Sequence, residues 1–304
     1  MNNMAIINHI IKVIRFRIYR FLRRVFNTIL YIIYPHEKIL IVNCAFMQIG
    51  KHIVKFNLGD DINYYIFEYL TNGKLILNSR EFYHPKIQNV VGIGSVIDWI
   101  SNTESIIFGS GVMNPNSNLS AKPQKVLAVR GKLSRDYLIN KGIECPAIYG
   151  DPAWLLPKIY TPNNKDSDKT AIGIIPHFVD KNNPIIKKLS IINKNIKLID
   201  IQNYKSWQDF VDQICSCYCI LSSSLHGLII SDAYMIPNLW IKLSDNISGG
   251  GFKFHDYFSS LDRDAICYNI NNVDDLENVI NNGEFYHSKG VDTTELINMF
   301  KQNI

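Results

Sequence analysis

Between Ile220 and Ser231 the chain reads ILSSSLHGLIIS, an apolar run broken by three hydroxyls, one imidazole and one glycine. Side chains of these types suit proton transfer beside a bound anion. Tyr218 to Leu221 has the pattern of a buried strand, and Gly227 to Tyr234 that of a helix stopping before Pro237. The polar interlude is therefore predicted to be a strand-to-helix turn at the carboxyl end of a sheet. Free N–H groups in the first helical turn, with Ser222, Ser223 and Ser224 around them and Leu225 beside them, form a seat for phosphate or carboxylate. A serine there can cap the helix, and Gly227 removes a side chain where a ligand needs close approach. The helix dipole disfavours a charge on His226 and leaves its imidazole open to proton traffic near neutral pH. The other reading of His226 is a capping histidine without chemistry.

Short apolar runs alternate with helical patterns on both sides of this turn. Lys38 to Val42, Leu75 to Leu77, Val90 to Ile93, Ser105 to Phe108 and Val126 to Val129 read as buried strands, with helices at Ile62 to Leu70 and Leu133 to Asn140. The rhythm restarts with strands at Ala171 to Ile175, Ile196 to Asp200, Tyr218 to Leu221 and Leu239 to Ile241. Helical patterns stand between and after them at Ile185 to Ile192, Trp207 to Ser216 and Leu276 to Asn281. Such alternation predicts an α/β fold with mainly parallel sheets. The polar stretch TPNNKDSDK marks a linker at 161–169 between two α/β units, 35–160 and 170–304, the second closed by C-terminal helices. Two such units facing one another would hold a ligand in the cleft beyond their strand ends.

Residues 1–34 carry six of the 32 Lys and Arg residues and no Asp or Glu, so the remaining chain is close to neutral despite a net charge of +5. A uniformly basic nucleic-acid surface is not indicated. Arginines interrupt the segment too often for a membrane span. At helical spacing Ile7, Ile11, Ile14, Ile18, Phe21, Leu22, Val25 and Ile29 fall on one side, and Lys12, Arg20, Arg23 and Arg24 on the other. The pattern predicts a basic amphipathic helix lying on an anionic membrane surface; a helix packed on its own protein with a solvated basic face is the competing reading. Six cysteines in a chain of 304 residues without a signal-peptide pattern point to thiols in a reducing compartment. Cys215, Cys217 and Cys219 lack the spacing and second pair of a zinc site, so no metal is expected.

Seven segments together resemble one family, the polysaccharide pyruvyl transferases. They are NLGDD (57–61), FGSGVM (108–113), VRGKLSRDYL (129–138), YGDPAWLLP (149–157), IGIIPH (172–177), SSSLHGLIISDAYMIP (222–237) and GGGFKFHDYFSSL (249–261). The resemblance implies a fold like that of the two-Rossmann GT-B glycosyltransferases, with the first domain on the acceptor side and the second on the donor side. It also implies transfer of a pyruvyl group from phosphoenolpyruvate to a sugar of a bacterial surface polysaccharide or its lipid-linked precursor, as a ketal and without a further cofactor. With the basic helix, this places the enzyme in the cytoplasm at the inner face of the cytoplasmic membrane.

Protonating the methylene carbon of phosphoenolpyruvate makes the adjacent carbon electrophilic, so the site needs an acid/base and a fixed positive environment for carboxylate and phosphate. On the matching motifs His226 takes the acid/base role and Arg130 that of an anion clamp. Asp151 holds the arginine or accepts from the sugar, or else makes a plain turn before Pro152. Gly109, Ser110 and Gly111 let backbone approach the ligand, while Asn57, Gly59 and Asp60 line the amino-terminal side of the cleft or serve as loop and cap. His177, Lys242 and Lys253 are candidate substrate contacts. Many relatives have an arginine where this chain has Ser224, so Lys242, Lys253 or Arg135 must supply the second cation, or the donor is held differently. Two other functions compete: a nucleotide-sugar glycosyltransferase in the same cleft, and a catalytically dead scaffold of a polysaccharide assembly complex.

Overall fold

The computed structural model describes residues 3–84, 86–162 and 170–304, with the side chains of the first helix from residue 13 onward. The chain begins with α1 (Asn3–Ile33) and β1 (Ile39–Val42), then a small antiparallel hairpin, β2 (Met47–Ile49) and β3 (His52–Val54). There follow α2 (Leu58–Asp61), α3 (Asn63–Leu70), β4 (Leu75–Asn78), β5 (Asn89–Val91), α4 (Ile97–Ile100), β6 (Ser105–Ser110), β7 (Lys125–Val129), α5 (Lys132–Asn140) and α6 (Leu156–Ile159). The second half contains β8 (Ala171–Ile175), α7 (Pro184–Ile192), β9 (Ile196–Leu198), α8 (Trp207–Cys215), β10 (Cys217–Ser222) and α9 (Leu225–Ala233). It ends with β11 (Asn238–Lys242), α10 (Phe252–Ser259), β12 (Cys267–Asn269), α11 (Val273–Asn282) and α12 (Thr294–Asn303). The expected linker falls almost wholly outside the described residues.

Two parallel five-stranded sheets form the α/β architecture, in the orders β4-β1-β5-β6-β7 and β9-β8-β10-β11-β12. Numbered within its own sheet, each order is 2-1-3-4-5. The connection reverses direction between the first and third strands of each, so the crevice at a switch point opens beyond β1 and β5 in one sheet and beyond β8 and β10 in the other. Central strands such as Ile-Leu-Ile-Val in β1 are buried throughout, as expected where helices cover both faces of a parallel sheet. One core cluster runs from Leu40 and Phe67 through Trp154 to Leu225 and Phe300, joining side chains of both halves. Phe300 on α12 meets Phe67 and Phe108 at ring distances of 5.8 and 5.0 Å, so the last helix packs on the first sheet.

The first helix docks in an unexpected sense. Arg23, placed above on the basic face, is buried and pairs with Glu81 at 3.0 Å. Asn27, also buried, donates to the carbonyls of Gln48 and Glu81 and accepts from the Gly50 N–H. Arg24 lies over the Tyr83 ring at 4.2 Å. Glu81 and the polar backbone of the β2–β3 hairpin can satisfy a charged helix face, so part of that face turns inward. Ile14, Phe16, Ile18, Phe21, Leu22 and Ile29 are each at least half exposed. Arg23 departs in this from both sequence readings, which had the basic face at headgroups or water, whereas Arg20 stays exposed and Arg24 half-buried.

Candidate active site

α9 starts at Leu225, two residues earlier than its apolar pattern suggests, so His226 and Gly227 lie inside its first turn. Ser224 is the N-cap residue, but its side chain caps nothing. The Ser222 hydroxyl instead accepts from the Ser224 N–H at 3.0 Å and lies 2.9 Å from the Ile175 carbonyl, while Ser223 accepts from the His177 N–H at 2.8 Å. Only Ser224 and Leu225 of that turn join His226 on the wall of a cavity of about 140 Å³. Ser222 and Ser223 shape the turn and do not reach the cavity, contrary to the expectation of three hydroxyls at the ligand. Gly227 likewise serves packing: a Cβ there would stand 2.3 Å from Ser222 Oγ.

The cavity opens at the carboxyl ends of both sheets. His177, beyond β8, and Lys253, in the first turn of α10, complete its second-half wall. The first half contributes Asn57 and Asp60 at α2, Ala45 beyond β1, and Gly94, Ser95 and Trp99 beyond β5. Lys253 Nζ lies 3.4 Å from His177 Nε2. Asp60 accepts from Asn57 Nδ2 at 2.8 Å. Burial raises the Asp60 carboxyl to about 6, against the lowering effects of the Asn57 hydrogen bond and Lys253. Burial, then the charge of Arg130, lowers Lys253 to about 8. His177 is lowered to about 3 by burial and by Lys253.

His226, 9% exposed, turns Nε2 inward to 3.9 Å from Asp151 Oδ2, and neither atom has a hydrogen-bond partner among the described residues. Asp151 uses its other oxygen to accept from the Ala153 N–H, capping the short turn at Pro152–Leu155. Burial raises the Asp151 carboxyl to about 6. His226 is lowered to about 3, first by burial and then by Arg130, Lys253 and His177, so the imidazole is neutral at pH 7. Gly59 lies against the other ring nitrogen. A Cβ at that position would stand 2.0 Å from His226 Nδ1. The glycine therefore lets the ring pack against α2, where any other residue would overlap it.

Arg130 is not a free clamp. Fully buried at 0% exposure, its guanidinium pairs with Asp256 at 2.8 Å, donates to Ser95 Oγ at 2.6 Å and approaches the Val112 carbonyl at 3.4 Å. Asp256 also accepts from the N–H and hydroxyl of Ser134, tying α10 to the start of α5. Gly111 makes room for the guanidinium, since a Cβ there would lie 2.2 Å from it, and Gly109 packs on Pro152. Ser110 donates to the Gly94 carbonyl. These three residues support the site from behind the wall. Lys242 stands in a separate groove, paired with exposed Asp245. Arg135 donates to the Cys145 carbonyl. Lys253 is thus the candidate cation that reaches the cavity. Sequence reasoning missed Ser95 and Trp99, although Gly94-Ser95 after a strand is the same kind of signal as Gly109-Ser110.

A family model described as Polysaccharide pyruvyl transferase matches residues 14–245, which contain every cavity residue named except Lys253. The chain belongs to this family. Membership in the polysaccharide pyruvyl transferases makes it a transferase with a polysaccharide as acceptor class. It is 31% identical over 215 residues, 68% of this chain and 72% of the relative, to an uncharacterized protein, L143, of Acanthamoeba polyphaga mimivirus. It is 25% identical over 220 residues, 67% of this chain and 61% of the relative, to the succinoglycan biosynthesis protein ExoV of Rhizobium meliloti. No solved structure matches the chain.

Proposed function

We propose that the chain transfers a pyruvyl group from phosphoenolpyruvate to a sugar of a surface polysaccharide, or its lipid-linked precursor, and forms a ketal. The observation that carries this reading is the meeting of a neutral His226, a buried Lys253 and the uncapped start of α9 in one small cavity. Its volume of about 140 Å³ lies below the roughly 300–1,000 Å³ typical of drug-sized ligands. A compact dianion suits it better than a nucleotide sugar does. In this reading the two halves act as donor and acceptor domains of a GT-B-like cleft, with Lys253, Ser224 and the first N–H groups of α9 holding the donor's phosphate and carboxylate.

His226 acts through Nδ1, because Nε2 faces Asp151. The neutral ring takes the proton of the attacking sugar hydroxyl, a C–O bond forms at the enol carbon, and the methylene carbon gains the proton to become methyl. A second hydroxyl then attacks the same carbon; its proton leaves through the imidazole to the departing phosphate, and the ketal closes. Asp151 orients the ring and stabilises the transient imidazolium. Arg130 is a positioning residue whose field adds to burial in keeping His226 neutral and whose pairing with Asp256 holds the two rims together.

The exposed apolar side chains of α1 are best covered by a bilayer. Residues 13–20 are exposed on every side, with Arg15, Arg17 and Arg20 between the apolar members, a combination that suits anionic headgroups above acyl chains. No described helix is long and apolar enough to cross a membrane. With an acceptor anchored in the same bilayer, the enzyme works from the inner face of the cytoplasmic membrane, in a step of the kind that the name of ExoV indicates for its own polysaccharide.

Phosphoenolpyruvate is incubated with lipid-linked glycans terminating in glucose, galactose, N-acetylglucosamine or N-acetylmannosamine, with mass spectrometry for the pyruvyl ketal and a phosphate assay. Ketal with stoichiometric phosphate supports the reading; release of a nucleotide from a sugar nucleotide instead refutes it. Sedimentation with vesicles containing phosphatidylglycerol, lost in Phe21→Asp/Leu22→Asp, tests the membrane contact. A dimer dispersed by the same pair, without vesicle binding, would assign α1 to a second copy.

A further inference from the structure

Of the four tryptophans, Trp154, Trp207 and Trp240 are core residues only 5–6% exposed, whereas Trp99 is 45% exposed at the mouth of the cavity. A large aromatic left in water at a site's edge needs a reason. Its position is fixed from several directions. The indole N–H is already used, donating to the Ser95 carbonyl at 3.1 Å, so it is not waiting for a polar partner. The Arg80 guanidinium covers the ring at 5.1 Å. The adjacent Asp98 accepts from the Met113 N–H and the Ser117 hydroxyl, which anchors the short helix α4 beneath the ring.

The polar groups near it match what a sugar presents. Among the described residues the first-half wall carries no cation: Arg130 lies behind it, paired with Asp256, and Arg80 lies over the Trp99 ring. It brings Asn57 and the carboxylate of Asp60, a combination that suits hydroxyls. Gly94 borders Asp60: a Cβ there would stand in ordinary contact, 3.6 Å from Asp60 Oδ1. Across the cavity, the half-exposed Phe178 packs on the His177 ring at 4.4 Å. A pyranose has one face of C–H bonds and a rim of hydroxyls, and C–H bonds pack favourably on the electron-rich face of an indole. Building on the pyruvyl-transfer reading, we infer that Trp99 is the stacking platform for the acceptor's pyranose ring, with Asp60 receiving its hydroxyls, and that this residue sets acceptor affinity while leaving donor binding alone.

Two measurements test this on the full chain. In steady-state assays with phosphoenolpyruvate and the transferring glycan, Trp99→Ala raises the acceptor KM about tenfold or more. The KM for phosphoenolpyruvate and kcat at saturating acceptor stay within about twofold, and Trp99→Phe restores most of the affinity. Separately, intrinsic fluorescence is titrated with the methyl glycosides of the same four sugars, without donor. The wild type responds and Trp99→Phe, which retains the three buried tryptophans, does not. Transfer by the wild type with an unchanged acceptor KM in Trp99→Ala, or a raised phosphoenolpyruvate KM instead, overturns the inference. No transfer but a fluorescence response confined to the wild type rejects the pyruvyl-transfer reading and retains a sugar platform; neither transfer nor response rejects both.

Discussion

Beyond β8 and β10 the second sheet presents His177, Ser224 and His226 to the cavity; beyond β1 and β5, the corresponding strands of the first sheet, stand Ala45, Gly94 and Ser95. The strand order is the same and the chemistry is not. Topology places a crevice at each switch point. The residues that follow the strands decide what the crevice does. One rim carries the imidazoles and the buried ammonium, and the other carries small residues, hydroxyl-binding groups and an indole. The division of labour between donor and acceptor proposed above rests on this asymmetry.

The largest effect should come from the second rim. His226→Ala is expected to lower kcat/KM about 10³-fold, within the range for loss of a general acid/base, in an assay of phosphate release from phosphoenolpyruvate. Its melting temperature should stay close to that of the wild type, because the imidazole makes no hydrogen bond that truncation would orphan. An equal loss from Ala substitution of Asn57 on the first rim would break the comparison. Gly59→Ala comes next. Its Cβ would fall 2.0 Å from His226 Nδ1, so either the ring or α2 must shift, and displacement on this scale costs about 10²-fold in rate. Unchanged turnover by this variant would rule out Nδ1 as the working nitrogen.

A pH profile separates the groups further. Asp151 sits near 6 and must be ionised to stabilise the imidazolium, so kcat/KM should fall as pH drops below about 6. Lys253 sits near 8 and must be charged to hold the donor, so the rate should also fall above about 8. Lys253→Met should raise the phosphoenolpyruvate KM about tenfold and abolish the alkaline limb while leaving the acid limb. Persistence of both limbs in Lys253→Met would assign the alkaline one elsewhere.

Much of this scaffold could be read from the chain because parallel strands buried on both faces are written as short runs of Ile, Leu and Val. β2, β3 and β12, three residues each, carry too little periodicity to be seen. Helical spacing separated the faces of α1, but cannot tell which face docks; that depended on Glu81, far away in sequence. Arg130 shows the same limit. Its motif marked it as special, and its partner Asp256, 126 residues later, turned a presumed ligand clamp into a buried pair. Trp99 escaped notice because Val90 to Ile93 was read as continuous strand, which hid the glycine-serine turn ahead of it.

The smallest predicted effect concerns Asp60 and sharpens the comparison by stability instead of rate. Its folded pKa, about 6, is above the model-peptide value of 3.8, so protonation favours the folded state. The stabilising contribution is fully present below about pH 4 and is lost as pH rises through 6. At pH 7 the ionised, half-buried carboxylate therefore weakens the fold, by an amount on the order of 1–3 kcal/mol. Asp60→Asn keeps the shape and an acceptor for Asn57 while removing the charge. In urea unfolding it should gain about that much at pH 7 and nearly nothing at pH 4. A carboxylate retained at such a cost on the otherwise uncharged rim is what a group kept for a substrate's hydroxyls looks like. Equal stability of the two proteins at both pH values would make Asp60 an ordinary cap.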